Sequence, residues 1–332
     1  MKKESRIFVS GHRGLAGSAI LRCLEGQGYT SLITRTRQQL DLTNKERVFD
    51  FFLNERPEYV FLAAARVGGL NDSILHPVEF ISENLAIQWN VIEASFHSRV
   101  KRLLFLGSSC IYSNDSPRPL KEASFNSGRL EPTNRAHSTA KIAGIEHCWA
   151  YNRQYNTQYL CALSANLYGP NDNYDLESGH ALAALIRKMH EAKEYDKPSI
   201  SLWGSGKAKR EFLYSADLAE ACCHLIALPD EAVTPVFCQD DIPPVVNISS
   251  GKEISIYELA LLIQRIVGYE GEIIWDHSKP GGVLSKIMDV SLIGRLGWRA
   301  QEELASGIEK TYHHYLTYER EQKWSKKHSL PV

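Results

Sequence analysis

The sequence predicts an α/β protein with a doubly wound parallel sheet and a smaller C-terminal α/β domain. Three observations support this fold class. Short apolar runs alternate with longer amphipathic stretches through the first half of the chain, which is typical of right-handed βαβ units. A glycine-rich segment stands between the first predicted strand and the first predicted helix. Beyond about residue 165 the alternation loosens, and polar loops separate the helical stretches.

The elements of the first half follow one another in a regular order. The run "RIFVSG" predicts the first strand, "LAGSAILRCLEGQGY" the first helix and "SLITRT" the second strand. Two further apolar strands, "YVFLAAA" and "RLLFLGSS", are separated by the helical stretch "ISENLAIQWNVIEASFHSR". A long helix begins within "EPTNRAHSTAK", and the apolar run "YLCALSANLYGP" follows it, after which the regular order loosens. Strands that alternate with helices in this way form a parallel sheet covered on both faces.

The second half contains helical stretches between long polar loops. The helices are predicted from "ALAALIRKMHEAKEY" and "SIYELALLIQRIVGY", and the loops include "GPNDNYDLESGH" and "DDIPPVVNISSGKE". We therefore predict a nucleotide-binding domain over residues 1–165 and a substrate-binding domain over residues 166–322. The chain is expected to return to the first domain around residues 213–245.

Composition excludes several classes of function. The formal net charge of the 332 residues is −1, so no broad basic field is available for nucleic acid or an acidic membrane surface. No apolar run approaches the roughly 20 residues of a membrane-spanning helix, and the start "MKKESRIFVSG" lacks a signal-peptide apolar region. The seven cysteines are odd in number and lack C-x-x-C spacing, which favours reduced thiols over disulfides or a metal site. We expect a soluble cytoplasmic protein.

The glycine-rich segment predicts a dinucleotide site. In "RIFVSGHRGLAGSAI", Gly11, Gly14 and Gly17 follow G-x-x-G-x-x-G spacing between a strand and a helix. Glycines at these positions allow a tight turn and bring backbone N–H groups close to a pyrophosphate at the helix N-terminus. Glycines also serve ordinary turns, but the strand before and the helix after make this a Rossmann-type nucleotide loop.

Arginines near this loop favour NADP(H) over NAD. An acidic residue that binds the ribose 2′-hydroxyl of NAD is expected at the end of the second strand, and "ITRTRQQLDLTN" has Arg35 and Arg37 there instead. Arg13 lies inside the glycine loop. Guanidinium groups suit a 2′-phosphate, although some of these arginines could simply be solvated loop charges. Asp41 and Leu42 are expected to flank the adenine.

Several motifs in order carry a resemblance to a known family. They are "GHRGLAG", "RTRQQLDLTN", "LAAARVGG", "LGSSCIY", "EPTN…AK" and "NLYGPNDNY". With them, the chain resembles the extended short-chain dehydrogenase/reductases from about residue 5 to residue 320. The pieces "GHRG", "VGG", "SSCIY" and "WGSGKAKREFL" are similar to the branch of GDP-L-fucose synthases, which epimerise and reduce a GDP-4-keto-6-deoxy-mannose with NADPH.

The resemblance implies roles for the polar residues of these motifs. Ser108 in "GSSC" would hold the ketone oxygen of a GDP-linked 4-keto sugar, and Cys110 would be the epimerising base. His180 in "LESGHALAAL" would be the acid partner of Cys110 and would supply the cation that lowers the pKa of its thiol. Lys141 would bind the nicotinamide ribose. In the family a tyrosine stands where this chain has His137.

Each of these residues has a structural alternative. Ser108 follows an apolar strand and could cap a turn. Cys110 could be a small buried hydrophobe, as most free cysteines are. His180 comes just before a predicted helix and could serve as its N-cap. We favour the catalytic roles, because the residues match the same set of motifs independently.

The second domain is expected to bind the GDP moiety and the sugar. The candidate residues are Asn166, Arg187, Trp203, Arg210 and Lys286. The two arginines would clamp the pyrophosphate, the tryptophan would contact the nucleotide, and the asparagine would help to shape the sugar site. For each of them the alternative is a surface salt bridge or a core aromatic. The segment "SKPGGVLSKIMDV" departs from the family, with Gly281 where an acid is common and Ser285 where an arginine is common.

His137 raises the question of whether reduction survives. The spacing of "EPTN" and "AK" around it is unchanged, so it occupies the tyrosine position. An imidazole can donate a proton near neutral pH, but its nitrogen falls about 2 Å short of a tyrosine oxygen, and such misplacement is costly. Beside Lys141 the cationic form of the ring is disfavoured, which leaves a weaker acid. We expect impaired reduction and persistent epimerisation.

Three functions are compatible with these residues. The first is an NADPH-dependent epimerase/reductase of a GDP-4-keto-6-deoxy-hexose. The second is an epimerase-only or 4-keto-reductase enzyme that acts on a related GDP-sugar such as a GDP-heptose. The third is a non-catalytic NADP(H) or nucleotide-sugar binding protein, which the presence of Ser108, Cys110, Lys141 and His180 disfavours. The helical stretches "ISENLAIQWNVIEASFHS" and "AGIEHCWAYNRQY" are expected to pair in a homodimer.

Overall fold

The computed structural model describes residues 1–278 and 285–328. A six-stranded parallel sheet forms its centre, in the order β2-β1-β3-β4-β5-β9. The strands are β1 (Ile7–Ser10), β2 (Leu32–Ile33), β3 (Tyr59–Leu62), β4 (Arg102–Ser108), β5 (Tyr159–Ser164) and β9 (Val245–Ile248). The strands are buried, as expected of a parallel sheet covered by helices on both faces. The predicted α/β fold with a parallel Rossmann-type sheet is confirmed.

Helices that follow these strands pack on the two faces of the sheet. They are α1 (Leu15–Gly26), α2 (Lys45–Glu55), α3 (Leu70–Leu75), α4 (Pro77–His97), α5 (Arg135–Tyr155), α7 (Ser215–Ala227) and α8 (Asp230–Phe237). In sequence order α6 (Ala181–Glu194) lies between α5 and α7 and belongs to a separate packing cluster. None of the helices in the described ranges is long and apolar enough to span a bilayer.

A smaller α/β unit is built around a second apolar core. It contains β6 (Asn166–Tyr168), β8 (Lys209–Tyr214) and β10 (Glu253–Ser255) in one sheet, and β7 (Ser199–Trp203) and β11 (Glu272–Asp276) in another. Its helices are α6, α9 (Ile256–Val267) and α11 (Leu304–His328). The apolar run "YLCALSANLYGP" forms two strands, because β5 joins the large sheet whereas β6 pairs with β8 of the small one.

The chain passes more than once between the two cores. After β8 it contributes Leu213–Ile248 to the core of the large sheet, and after β11 it returns there with Met288 and with Ile293 of α10 (Ser291–Arg295). The segment at 285–288 therefore lies between the two cores. Glu211 and Glu253 anchor it, because they accept hydrogen bonds from Met288 N (2.8 Å) and Lys286 N (3.1 Å). The division of the chain into domains at residue 165 remains our proposal.

Candidate active site

Ser108 and Cys110 lie where β4 ends at the carboxyl edge of the sheet. In open α/β sheets this edge is where ligands bind. Ser108 is the last residue of β4, and the 3₁₀ turn Ser109–Ile111 follows it. The Cys110 N–H donates to Ser108 Oγ (3.3 Å), so this serine does cap a turn. The cap fixes the direction in which the chain leaves the strand and places Cys110 against helix α5.

Helix α5 brings His137 to the thiol. The Ser138 hydroxyl donates to the Cys110 carbonyl oxygen at 3.0 Å, which ties the first turn of the helix to the turn after β4. The His137 ring is buried and packs edge-to-face on Phe80 with 6.0 Å between ring centroids. It lies close enough to the Cys110 thiol to lower its pKa. Ser108, Cys110, His137 and the nearby Lys141 are thus assembled at one place.

The surroundings of Cys110 favour its thiolate. Burial raises the pKa of the thiol, but the charge and hydrogen bond of His137, together with hydrogen bonds of Ser108 and Ser138, outweigh burial and lower the pKa to about 6. From the sequence, His180 was expected to lower this pKa. In the structure the responsible group is His137, because it is carried on the helix that packs directly against the turn.

Lys141 lies one helical turn beyond His137 and is directed at the strand. Its Nζ donates to the Leu106 carbonyl oxygen at 2.7 Å and lies 4.7 Å from the centroid of the Phe105 ring. Burial lowers the pKa of Lys141 to about 8, against the opposing effect of Cys110. A buried cation near the thiol adds to the electrostatic preference for a thiolate.

His180 is paired with the buried carboxylate of Asp172, which is not among the residues predicted from the sequence. His180 occupies the N-cap position of α6 but its side chain makes no cap hydrogen bond. Its Nδ1 instead lies 2.8 Å from Oδ1 of Asp172, whose side chain is only 1% exposed. Burial lowers the pKa of His180, whereas the hydrogen bond and charge of Asp172 outweigh burial and raise it. The only signal in the sequence was an acid eight residues before the histidine.

The "VGG" motif touches the loop that carries His180. The Gly69 N–H donates to the Ser178 carbonyl oxygen at 2.7 Å. A Cβ atom at Gly69 would lie 2.5 Å from the Gly179 carbonyl oxygen, which is closer than side-chain carbons approach. Glycine is therefore required for the loop after β3 to support the loop before α6.

The glycine loop after β1 has the geometry of a dinucleotide site. Gly11 has a φ of +70°, and a Cβ atom there would lie 2.8 Å from the backbone nitrogen of Ala64, just after β3. A Cβ atom at Gly17 would lie 2.2 Å from the Gly11 carbonyl oxygen. Helix α1 starts after Gly14 without a side-chain cap, which leaves its first N–H groups available to a phosphate.

The three predicted phosphate-binding arginines have different surroundings. Arg35 forms an ion pair with Glu55 (2.5 Å) and its guanidinium lies over the Phe51 ring at 5.4 Å. Arg37 is 71% exposed and pairs with Glu83 at 3.4 Å. Arg13 is exposed within the glycine loop. Arg13 and Arg37 thus present charge to solvent, whereas Arg35 is directed at helix α2.

The predicted cofactor site also includes Asp41, Leu42 and Arg66. Asp41 Oδ1 accepts from the N–H (3.0 Å) and hydroxyl (2.8 Å) of Thr43, which lowers the pKa of the carboxyl group, and the Leu42 carbonyl oxygen accepts from Asn90 (2.9 Å). Arg66 lies in "LAAARVGG" but was not among the residues predicted for the site. It forms an ion pair with Glu83 at 3.5 Å. Its Nε is buried without a hydrogen-bond partner in the described part of the chain, as expected beside a polar ligand.

Lys286, in the segment after β11, lies near both Cys110 and Arg210 of β8. Burial lowers the pKa of Lys286, with Arg210 and Arg118 also lowering it and Cys110 and Glu131 raising it. The five groups therefore lie close enough to interact electrostatically. The departure at Ser285 is accommodated by a hydrogen bond from its hydroxyl to Glu253 (2.6 Å). The other departure, Gly281, lies outside the described residues.

The remaining candidates are spread along the smaller unit. Asn166 donates to the Glu211 carbonyl oxygen (2.9 Å), which links β6 to β8. Arg187 makes an ion pair with Glu191 (2.7 Å) on the same helix, the structural alternative considered above. Trp203 is 60% exposed, so it is not a core aromatic.

Comparisons with known proteins agree with the motifs. The model of the "NAD dependent epimerase/dehydratase family" matches residues 7–248. The chain is 45% identical over 318 residues to "Putative GDP-L-fucose synthase 2" of Arabidopsis thaliana, covering 95% of this chain and 93% of that one. It is 42% identical over 315 residues to "GDP-L-fucose synthase" of Escherichia coli K12, covering 94% and 97%.

Solved structures give the same result. A GDP-6-OMe-4-keto-L-xylo-heptose reductase from Campylobacter jejuni superposes with a TM-score of 0.89 at 36% identity, covering 96% of this chain and 99% of that one. A GDP-D-glycero-L-gluco-heptose synthase from the same organism superposes with a TM-score of 0.87 at 36% identity, covering 95% and 99%. The resemblance inferred from the motifs is confirmed, and the chain belongs to the NAD dependent epimerase/dehydratase family.

Proposed function

We propose that this protein is an NADPH-dependent epimerase/reductase that acts on a GDP-4-keto-6-deoxy-hexose. The observation that carries the proposal is the cluster of Ser108, Cys110, His137 and Lys141 at the carboxyl end of β4. It stands in a chain that is 42–46% identical to several GDP-L-fucose synthases over most of its length.

Epimerisation requires a base and an acid next to a polarised ketone. The Ser108 hydroxyl would donate to the ketone oxygen and stabilise the enolate that forms when a neighbouring carbon loses its proton. Cys110 would take that proton as the thiolate that its surroundings favour. His180, whose pKa is raised by Asp172, would return a proton to the carbon from the other side.

The nicotinamide cofactor fits the loops at the switch point of the sheet. When bound, NADPH supplies the hydride for C4 of the sugar. Gly11 lets the backbone approach a pyrophosphate. The exposed guanidinium groups of Arg13 and Arg37 would bind a 2′-phosphate. The buried Nε of Arg66, which has no hydrogen-bond partner in the described chain, would donate to an oxygen of the cofactor. Lys141 would bind the nicotinamide ribose. Arg35 contributes least to the choice of phosphate, because its ion pair with Glu55 (2.5 Å) is shorter than that of Arg37 with Glu83 (3.4 Å) and its guanidinium lies over Phe51.

The GDP part of the substrate carries a diphosphate that needs cations. Arg210 and Lys286 are partly buried cations beside the catalytic cluster and would bind it, with Arg187 reaching it only if its ion pair with Glu191 opens. Exposed Trp203 would contact the guanine, and Asn166 would shape the sugar site from β6.

Reduction is expected to be the weaker half of the reaction. The new alkoxide at C4 needs a proton, and His137 stands where the family has a tyrosine. The imidazole interacts electrostatically with the Cys110 thiol, and Lys141 donates to the Leu106 carbonyl oxygen. Neither arrangement directs a proton at the alkoxide as a phenol supported by a lysine would.

A GDP-heptose is the second candidate substrate. Two structural relatives at 36% identity are described as enzymes of GDP-heptoses, and the segment at Ser285 departs from the fucose-type pattern. The substrate would then be a larger 4-keto sugar handled by the same residues. The remaining alternative, a non-catalytic NADP(H) or nucleotide-sugar binding protein, predicts binding without any exchange or turnover.

The protein is also proposed to be a homodimer and to be located in the cytoplasm. Trp89 and Tyr155 on α4 and α5 are 55% and 49% exposed, which is unusual for large aromatic residues on one face. Trp89 stacks on His147 with 4.4 Å between centroids, so this face is an ordered aromatic patch suited to a second copy. The seven cysteines are all free thiols, which suits a reducing compartment.

The test uses the natural proton exchange of the substrate. The protein is incubated with GDP-4-keto-6-deoxy-mannose in D2O, with and without NADPH, and deuterium uptake beside the ketone and NADPH loss are followed separately. We expect deuterium uptake in the absence of NADPH, and slow NADPH loss when the cofactor is present. Uptake with the GDP-heptose analogue alone would select the second candidate. Tight NADPH binding with neither deuterium uptake nor NADPH loss on either sugar would leave a non-catalytic binding protein.

A further inference from the structure

We propose that Glu211 and Glu253 position Lys286 against the diphosphate of the substrate by holding the backbone of segment 285–288. Glu211 belongs to β8 and Glu253 to β10, and both carboxylates accept hydrogen bonds from this segment. We assign them as positioning residues, because they act on the substrate through Lys286. The inference rests on the proposed function, from which it takes the binding of the diphosphate by Lys286.

The two acids face each other across the small sheet. Glu211 and Glu253 are direct partners in the antiparallel pairing of β8 with β10, so their side chains leave the same face of the sheet. Burial raises the pKa of Glu211 to about 7, and the charge of Glu253 acts in the same direction. Like charges in directly opposite positions destabilise a sheet. An arrangement that breaks this local rule requires a compensating interaction and is typical of a functional site.

Segment 285–288 supplies the compensating hydrogen bonds. Glu253 Oε1 accepts from the Ser285 hydroxyl (2.6 Å) and from the Lys286 N–H (3.1 Å). Glu211, which is only 1% exposed, accepts from the Met288 N–H at 2.8 Å. Residues 285–287 have no regular secondary structure, so carboxylate oxygens take the place of a strand partner for their backbone.

The other edge of the segment is bound to the larger unit. The Leu120 N–H donates to the Ile287 carbonyl oxygen (2.8 Å), and the Leu120 carbonyl oxygen accepts from the Asp289 N–H (2.8 Å). The Arg118 guanidinium donates to the Ser285 carbonyl oxygen at 3.3 Å. The backbone on both sides of Lys286 is therefore held between the two units, and loss of the carboxylates would release one edge of it.

The surroundings of Lys286 explain why its backbone must be held. Burial lowers the pKa of Lys286, and the charges of Arg210 and Arg118 lower it further, whereas Cys110 and Glu131 act in the opposite direction. The arginines repel the ammonium until a diphosphate binds between the cations. A lysine side chain is a flexible stem with a point charge, so its position depends on a fixed backbone.

The test measures the binding of GDP, which requires neither a sugar nor turnover. GDP and NADPH are titrated separately into the protein by calorimetry, and the melting temperature of every variant is recorded. Glu253→Ala removes the acceptor for two donors of the segment and should weaken GDP binding at least about tenfold, with NADPH binding changed less than about twofold. The sign is diagnostic, because removal of an acid would by electrostatics alone strengthen the binding of a diphosphate.

Conservative variants separate the hydrogen bonds from the charge. Glu253→Gln keeps an acceptor oxygen without the negative charge, so it should bind GDP as tightly as the parent protein or more tightly. Glu211→Met fills the buried site without a carboxylate and should weaken GDP binding as Glu253→Ala does, when it is measured below its melting temperature. Because Glu253 is only half-buried, its variants test the inference even if Glu211→Met does not fold.

A matched control and a double variant show whether the effect passes through Lys286. Glu303 is an exposed acid that pairs with Lys252, the neighbour of Glu253, at 2.9 Å. Glu303→Ala should leave GDP binding unchanged. When Lys286→Ala is already present, adding Glu253→Ala should cause no further loss of GDP affinity, since the residue that it positions is gone.

The outcomes distinguish this inference from the proposed function. Unchanged GDP affinity in Glu253→Ala, an equal loss of GDP and NADPH affinity, or a further loss in the double variant would overturn the inference alone. A parent protein that does not bind GDP would reject the proposed substrate and the inference with it. The expected pattern of GDP binding in a protein that exchanges no deuterium would support the inference and reject the proposed catalysis.

Discussion

At the residue scale, Asp172 is the group whose removal tests the acid side of the site. Its buried carboxylate raises the pKa of His180, so loss of its charge lowers that pKa. An acid must be protonated to act, and the alkaline limit of exchange should therefore move to lower pH in Asp172→Asn. We expect deuterium uptake at pH 8 to fall roughly 10²-fold, with a smaller loss at pH 6. The measurement is the pH profile of exchange.

A double variant shows whether Asp172 acts through His180. When His180→Gln is already present, adding Asp172→Asn should cost no further activity, since the residue that it positions is gone. An additional loss in the double variant, or an unshifted pH profile in Asp172→Asn, would mean that the carboxylate only stabilises its loop.

Cofactor choice is also decided by single side chains. Arg37 is exposed, whereas Arg35 is held by Glu55 and lies over Phe51. We expect the protein to bind NADPH at least tenfold more tightly than NADH, about 1.4 kcal/mol, and Arg37→Ala to abolish most of this preference. Arg35→Ala is the matched control and should preserve the preference. Titration of both variants with NADPH and with NADH measures the preference. If both variants lost the preference equally, the assignment of the 2′-phosphate contact to Arg37 would be wrong.

At the scale of elements, the contact between the loop after β3 and the loop before α6 positions His180. A methyl group at Gly69 would lie 2.5 Å from the Gly179 carbonyl oxygen. Because this oxygen belongs to the backbone, the clash cannot be relieved by rotating a side chain, and the loop itself must move. Gly69→Ala should therefore slow deuterium exchange at least about tenfold by displacing the loop that carries His180. NADPH affinity, measured in parallel, should change less than exchange.

Gly26→Ala provides the matched control for this change. Gly26 is the last residue of α1, and a Cβ atom there would have no neighbour within 4 Å. This substitution should leave exchange unchanged and leave the melting temperature equal or slightly higher, because alanine favours a helix over glycine by up to about 1 kcal/mol. If the two variants lost exchange equally, the contact of Gly69 would have no special role.

At the scale of the whole molecule, the aromatic face of α4 and α5 should control the oligomeric state. A charge at the centre of a buried interface typically costs at least 2 kcal/mol, so Trp89→Glu should raise the dimer dissociation constant at least about 30-fold. Tyr195→Glu is the control, because Tyr195 is 71% exposed in the smaller unit. Sedimentation over a range of concentrations measures both. A monomeric parent protein, or one unaffected by Trp89→Glu, would refute the dimer.

The sequence by itself determined the architecture. Alternating apolar and amphipathic runs identified the strands and helices of the parallel sheet, because a strand buried on both faces needs a continuous apolar run. The glycine spacing and the motifs identified the family, and they located the cluster of Ser108, Cys110, His137 and Lys141. These features depend on residues that are close together in the sequence, so their spacing is enough to predict them.

Only the tertiary structure decided which of these residues interact. His137 rather than His180 lowers the pKa of the Cys110 thiol, Asp172 hydrogen-bonds with His180, and Arg35 forms an ion pair with Glu55. The run "VGG" was a family signature in the sequence, and the structure gave it a physical reason, the contact of Gly69 with the loop of His180. Arg35 and Gly69 contact residues that are distant in the sequence, whereas Asp172 and His180 belong to one loop before α6 whose conformation no regular spacing predicts.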